Sequence, residues 1–374
     1  MCRARLAVTA ADAGPVEVRE GLERHLRPDD IPARRESDGM VHTTRGRSLV
    51  LLVCLGVLAL LMLLSLMVGA KQIPLATVVD AVFAYDASLE DHLVIRTLRL
   101  PRTVLAVLAG MAFGLGGAVI QGLSRNPLAD PGLLGVNQGA AAATVVAISF
   151  FGLGSLSQYI WFSFAGAAIT SVIVYWVASL GREGATPVKI TLAGAALTVF
   201  LGSVTSAIVL TDAHLLLALR RWTVGSLVGR PLELIAEMAP FMVVGVVIAL
   251  MCGPALNALA LGDDMARGLG QRVGLARAVS ALSVVIMVGA ATAVAGPVGF
   301  VGLVIPHVAR AFIGPDYRWI LAYTLVLSPA FLLLCDIVGR VVMRPAELQA
   351  GFVTIAIGGP FFVWLVRQRD LAEL

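Results

Sequence analysis

From residue 48 to the end of the chain, long stretches without a charged side chain recur, separated by short runs that carry Arg, Asp and Glu. A helix that crosses about 30 Å of hydrocarbon needs roughly 20 apolar residues, so each long stretch is a predicted span. The chain offers ten: Ser48–Ala70, Thr103–Gln121, Gly132–Phe151, Tyr159–Leu180, Ile190–Thr211, Met238–Gly253, Ala278–Ala295, Val298–Ile313, Trp319–Val338 and Gly351–Val366. The charge-free run from Gly132 to Leu180 is interrupted by Gly152, Gly154 and Ser155, and therefore holds two spans rather than one. The expected fold is all-α and polytopic, with ten transmembrane helices. An even number of spans returns both termini to one side. Arg45 and Arg47 before the first span and Arg367 and Arg369 after the last place that side in the cytosol by the positive-inside rule. The rule is blunted here, because the outer loops of this topology also carry Arg96, Arg99, Arg102, Arg220, Arg221 and Arg230.

Composition excludes an ordinary soluble domain: 58% of residues are apolar and only 14% charged, with a mean hydropathy of +0.89. Residues 1–47 break the pattern. They mix Arg, Asp, Glu, Pro and Gly without helical or strand periodicity, and are expected to form a disordered cytosolic tail ahead of a membrane domain at 48–374. No apolar segment with a small-residue cleavage site precedes residue 48, so the first span is expected to remain uncleaved. The net charge of +4 comes from Arg-rich loops, which suit lipid headgroups and give no reason to expect a nucleic-acid partner. The four cysteines form no ligand cluster, and no metal site or cofactor is expected.

Several interruptions carry candidate chemistry. Gly110, Gly114 and Gly117 share a helix face and allow another backbone to approach closely, before Asn126-Pro127 stops the helix. This stretch, with Gln121, reads either as a translocation-path helix ending in a turn or as ordinary helix packing. Gly296-Pro297 and Pro306 break a second stretch, tolerated in a membrane only where protein or a water-filled cavity satisfies the freed backbone. Gly117 and Pro127 match Gly296 and Pro306 in spacing, five spans apart, which suggests an inverted repeat of spans two to five and seven to ten. His307 lies nearby without a second ligand at metal-binding spacing, and a loop hydrogen bond is the expected role. Residues 259–270 form an amphipathic helix with Asp263 and Asp264 at its positive end and Gly268 and Gly270 at its stop. It is either a docking element or an interfacial loop. Asp336 and Arg340 are spaced to pair on one helix face.

Taken together, these stretches resemble the FecCD-type permeases, the ABC importer family for ferric siderophores, haem and cobalamin. The resemblance is carried by Arg99-Leu-Pro-Arg102 through Asn126-Pro-Leu-Ala129, by Leu261-Gly-Asp-Asp-Met-Ala-Arg-Gly-Leu-Gly270, and by Gly299-Phe-Val-Gly-Leu-Val-Ile-Pro-His307. Asp336 to Arg340 and the segment from Pro345-Ala-Glu-Leu348 to Trp364 complete it. Two departures are the polar tail and Gln349, where the family has a small apolar residue. The resemblance implies a permease of the bacterial inner membrane that carries a ferric siderophore or related metal chelate, with haem or cobalamin as the alternative cargo. It implies a second permease copy or related permease, cytosolic ABC ATPase subunits and an extracytoplasmic substrate-binding protein as partners. It also assigns ATPase coupling to Leu259, Gly262, Asp263, Asp264, Met265, Ala266, Arg267, Leu269 and Gly270. Binding-protein docking falls to Arg99, Arg102 and Arg340, and the path or gate to Gln121, Asn126, Pro127, Gly296, Pro297 and Pro306. Lys71 and Lys189, the only lysines, follow Ala70 and Val188, so no P-loop is present and ATP hydrolysis is expected in another subunit. An ion-coupled secondary transporter, the reading from a different class, lacks the midplane ionisable side chains it needs.

Overall fold

A computed structural model describes residues 43–69, 71–181, 185–344 and 346–368. The predicted tail lies almost wholly outside the described residues. Within them the chain is all-helical and contains no strand.

Among the described residues seven helices are long and apolar enough to cross a membrane. In chain order the elements are α1 (Thr44–Met67), α2 (Leu75–Phe83), α3 (Glu90–Ser124), α4 (Val136–Phe151), α5 (Leu156–Ser179), α6 (Pro187–Val209) and α7 (Ala213–Thr223). There follow α8 (Leu232–Met251), α9 (Gly253–Ala260), α10 (Asp263–Gly268), α11 (Val273–Ala295), α12 (Val301–Ile313), α13 (Tyr317–Val342) and α14 (Ala350–Gln368). The seven are α1, α3, α5, α6, α8, α11 and α13, while α4, α12 and Ala350–Trp364 of α14 are shorter apolar helices.

Helix starts depart from the charge-free stretches. α8 begins at Leu232, so Glu233 and Glu237 are helical, and α3 begins at Glu90 with a π-turn at Ile95–Arg99. Acidic side chains near a helix N-terminus match its positive end, so charge marks the membrane boundary without ending the helix. α4 and α12 are short for a different reason. Each is preceded by non-helical backbone, a 3₁₀ turn at Pro131–Leu134 before α4 and Gly296–Phe300 before α12.

α3, α11 and α13 form the interior, while α1 and α6 leave most of their apolar surface outward. The glycine face of α3 does what its spacing predicts. Gly110 lies on the backbone of Pro329, Gly114 on Ser328 and Gly117 on Gly302, where an added methyl would fall 1.8 Å from the Gly302 carbonyl oxygen.

Candidate functional site

α1 and α3 run in opposite directions, which gives the bundle two ends. At one end α1 finishes, α3 starts and α13 finishes, and a network of five charged side chains gathers around Asp336. Arg102 donates to both Asp336 carboxylate oxygens, with Nε at 2.9 and 3.0 Å and Nη2 at 2.7 Å, and through Nη1 to Glu347 at 2.6 Å. Arg340 donates to Asp336 from one turn further along α13, to the Ser65 carbonyl at 2.7 Å and to the Ser65 hydroxyl at 2.8 Å. Arg99 donates to the carbonyls of Leu66 at 2.7 Å, Met67 at 2.8 Å and Lys71 at 2.5 Å. Three guanidiniums thus share a site with two carboxylates, and Arg99 meets backbone carbonyls alone. The excess positive charge falls on the last carbonyls of α1, which have no intrahelical donor and carry about half a negative charge.

The three arginines assigned to docking are therefore brought together, but with their charged groups turned inward: Arg99, Arg102 and Arg340 are 6%, 8% and 2% exposed, and Asp336 is fully buried. The expected Asp336–Arg340 pair is present. Sequence spacing missed Arg102 and Glu347 as its other members, because they join from α3 and from the loop before α14.

At the opposite end, α3 stops at Arg125, which adopts a left-handed conformation (φ 50°) that non-glycine residues seldom take. Its Nε donates to the Leu259 carbonyl at 2.7 Å and its Nη2 to Asp263. Arg277 donates to the same carboxylate at 2.9 Å and to the Ala185 carbonyl at 3.0 Å. Asp263 opens α10, so two arginines and a helix N-terminus hold one anion. The predicted single helix over 259–270 is in fact two pieces. Leu259 belongs to α9, and Gly262 (φ 107°) turns the chain before α10, a conformation open to glycine and strained for other residues. The end of α10 follows expectation: Gly270 is left-handed (φ 80°), its N–H bonds Arg267 and that of Gln271 bonds Ala266, which closes the last turn. Ala266 is buried beneath the helix, while Met265 and Leu269 stand 57% and 61% exposed, flanked by the surface pair Asp264–Arg267.

Between the two ends the non-helical segments converge. After Asn126, whose side chain accepts from the Leu128 N–H at 2.9 Å, the chain folds back so that Pro131 lies over Gly116. From the Asp336 end, Gly296 (φ 74°) and Pro297 lead down to Phe300 (φ 68°). Both reach one small cavity lined by Phe113, Asp130, Pro131, Asn137, Val298 and Gly302.

Gln121 explains how the break is tolerated. Pro306 has no N–H to offer the Gly302 carbonyl one turn earlier, and Gln121 Nε2 donates to that carbonyl at 3.2 Å. Arg310 fixes the amide by donating to its oxygen at 2.8 Å. His307, expected in a loop, lies buried within α12. No group of three metal-ligating side chains occurs among the described residues.

Known proteins are similar to this chain over most of its length. The model of the FecCD transport family matches residues 57–368. The ferric enterobactin transport system permease protein FepD of Escherichia coli is 42% identical over 332 residues, covering 88% of this chain and 98% of its own length. The probable siderophore transport system permease protein YfiZ of Bacillus subtilis is 42% identical over 278 residues, 74% of this chain and 84% of its own. A solved structure described as a metal-chelate type ABC transporter in an inward-facing conformation superposes with a TM-score of 0.75 at 27% identity. It covers 86% of this chain and all of that one.

Proposed function

The chain belongs to the FecCD transport family, and from that premise we propose that it is the membrane-spanning permease of an ABC importer carrying a ferric siderophore or related iron chelate into the bacterial cytosol. ATP is hydrolysed by separate subunits, and an extracytoplasmic protein delivers the chelate. The observation that carries the reading is the knob at α10. Two exposed apolar side chains, Met265 within a six-residue helix and Leu269 at its C-cap, project from an element that Asp263 locks onto the end of α3 and onto α11. Exposed apolar groups on a rigidly seated, polar-flanked element suit docking to a protein partner. We assign them to the ATPase.

In this reading the Asp263 end is cytosolic and the Asp336 end faces outward. α4, α12 and α14 join the seven longer helices as spans, giving ten, and the two non-helical segments entering from opposite ends support an inverted repeat. Gln121, Asn126, Pro127, Gly296, Pro297 and Pro306 lie at or beside those segments, where rocking of one half against the other would be transmitted. Arg99, Arg102 and Arg340 contribute to docking by shaping the outer surface, since they hold Ser65 to Val68, Lys71 and Glu347 in place. The exposed Arg96 and Arg344 at that end meet the binding protein directly. Iron chelates are preferred to haem because the ferric enterobactin relative is 42% identical and the Yersinia pestis hemin permease 36%.

The test is uptake of a radiolabelled ferric siderophore into liposomes holding the permease, an ABC ATPase and a binding protein. Uptake should require ATP and the binding protein. Uptake that follows an imposed proton or sodium gradient without ATP would overturn the assignment in favour of secondary transport.

A further inference from the structure

At the Asp336 end, away from the arginine network, lies a cleft of about 530 Å³ between α4, α5, α7 and the start of α14. Its size falls within the range of small-molecule sites, about 300–1,000 Å³. The segment after α7 builds one wall, held by the Ser226 N–H on the Ala295 carbonyl at 2.7 Å and the Gly351 N–H on the Gly225 carbonyl at 3.2 Å.

Three polar atoms of its lining residues are buried without a hydrogen-bond partner: Trp222 Nε1, Arg230 Nε and Gln349 Oε1. Trp222 is only 4% exposed, so its N–H has no ready access to bulk water. Buried donors are rarely left unmatched, and two of the three here are donors, one on a guanidinium. Asp212 and Tyr159 also line the cleft, each with contacts of its own. The residue bearing electrostatically on Arg230 is Tyr159 rather than a carboxylate, and burial pushes the guanidinium below the ordinary arginine range. Arginine nonetheless stays charged at neutral pH. An unneutralised guanidinium, an unmatched indole N–H and an aromatic wall select an anion that presents several oxygen acceptors.

We propose that this cleft receives the negatively charged, oxygen-rich face of the transported chelate, so that the permease itself favours anionic ferric chelates over neutral ones. The proposal rests on the importer reading above and adds a site where Arg230 and Trp222 bind.

The test uses the full chain in lipid nanodiscs, with ferric citrate as the anionic probe and a neutral ferric trihydroxamate as control, read by quenching of tryptophan emission. Ferric citrate should quench saturably. Arg230→Gln should weaken that binding on the order of tenfold, the size expected for one charge-assisted contact, and leave the trihydroxamate response unchanged. Arg230→Lys should retain most of the binding, and Trp222→Phe, which keeps the ring and removes the N–H, should lose part of the binding and of the quenching. Equal loss for both probes, no loss for either, or an Arg230→Gln effect confined to dissociation of permease copies on size exclusion would each overturn the site. Uptake by the assembled importer separates the two readings. If the wild type carries neither chelate, the importer assignment falls. If it carries ferric citrate and Arg230→Gln carries it equally well, only the cleft proposal falls.

Discussion

The two ends of the bundle use the same side chains for different ends. Around Asp336, Arg99, Arg102 and Arg340 are sequestered, and their guanidiniums are spent on internal carboxylates or on backbone carbonyls at the end of α1 and at Lys71. Around Asp263, one carboxylate is held by Arg125 and Arg277, while its neighbour Asp264 lies fully exposed beside Met265. A closed network fixes where helices meet. A half-open one fixes the seat of an element while leaving its outer face for something else. The distinction is burial, not composition, because buried charges must be matched inside the protein whereas exposed ones are solvated and contribute little.

Asp336→Asn is the most severe way to break the comparison. It leaves Arg102 and Arg340 buried with a neutral partner and should destabilise the fold by about 3–5 kcal/mol. Thermal unfolding of the detergent-solubilised chain measures this, and an unchanged midpoint would refute the closed-network account. Gln121→Leu, in the region between the ends, removes the donor to the Gly302 carbonyl and the acceptor for Arg310. A loss of about 1–3 kcal/mol is expected, and amide exchange in α12 should rise more than in α13. The smallest structural effect belongs to the outer face of α10. Met265→Ala combined with Asp264→Lys should change stability by no more than about 0.5 kcal/mol. The same pair should abolish ATPase association in a pull-down and ATP-driven uptake. Survival of both would remove α10 from the coupling role, and a large loss of stability would show that the Asp263 end is as closed as the other.

Much of this was legible from the chain. Among the described residues, seven of the charge-free stretches fall in helices long and apolar enough to cross a membrane and three in shorter apolar helices, the Gly110-Gly114-Gly117 spacing marks the close face of α3, and Gly270 marks the end of α10. Helix starts were less legible. Glu233 and Glu237 look like loop residues in a charge count, yet near a helix N-terminus they sit inside α8. Arg125 and Arg277 escaped notice because neither falls in a periodic motif; the one local hint was an arginine just ahead of the helix-stopping Asn126-Pro127.

Hydrophobicity, glycine spacing and proline placement act over a few residues, so the sequence by itself determined that the chain is a bundle of apolar helices and where it breaks. Whether a given arginine faces a partner or the interior was decided by tertiary structure alone. Arg102 meets Asp336 across 234 positions and Gln121 meets Gly302 across 181. Such pairings follow from which helices pack together, and no local signal encodes them.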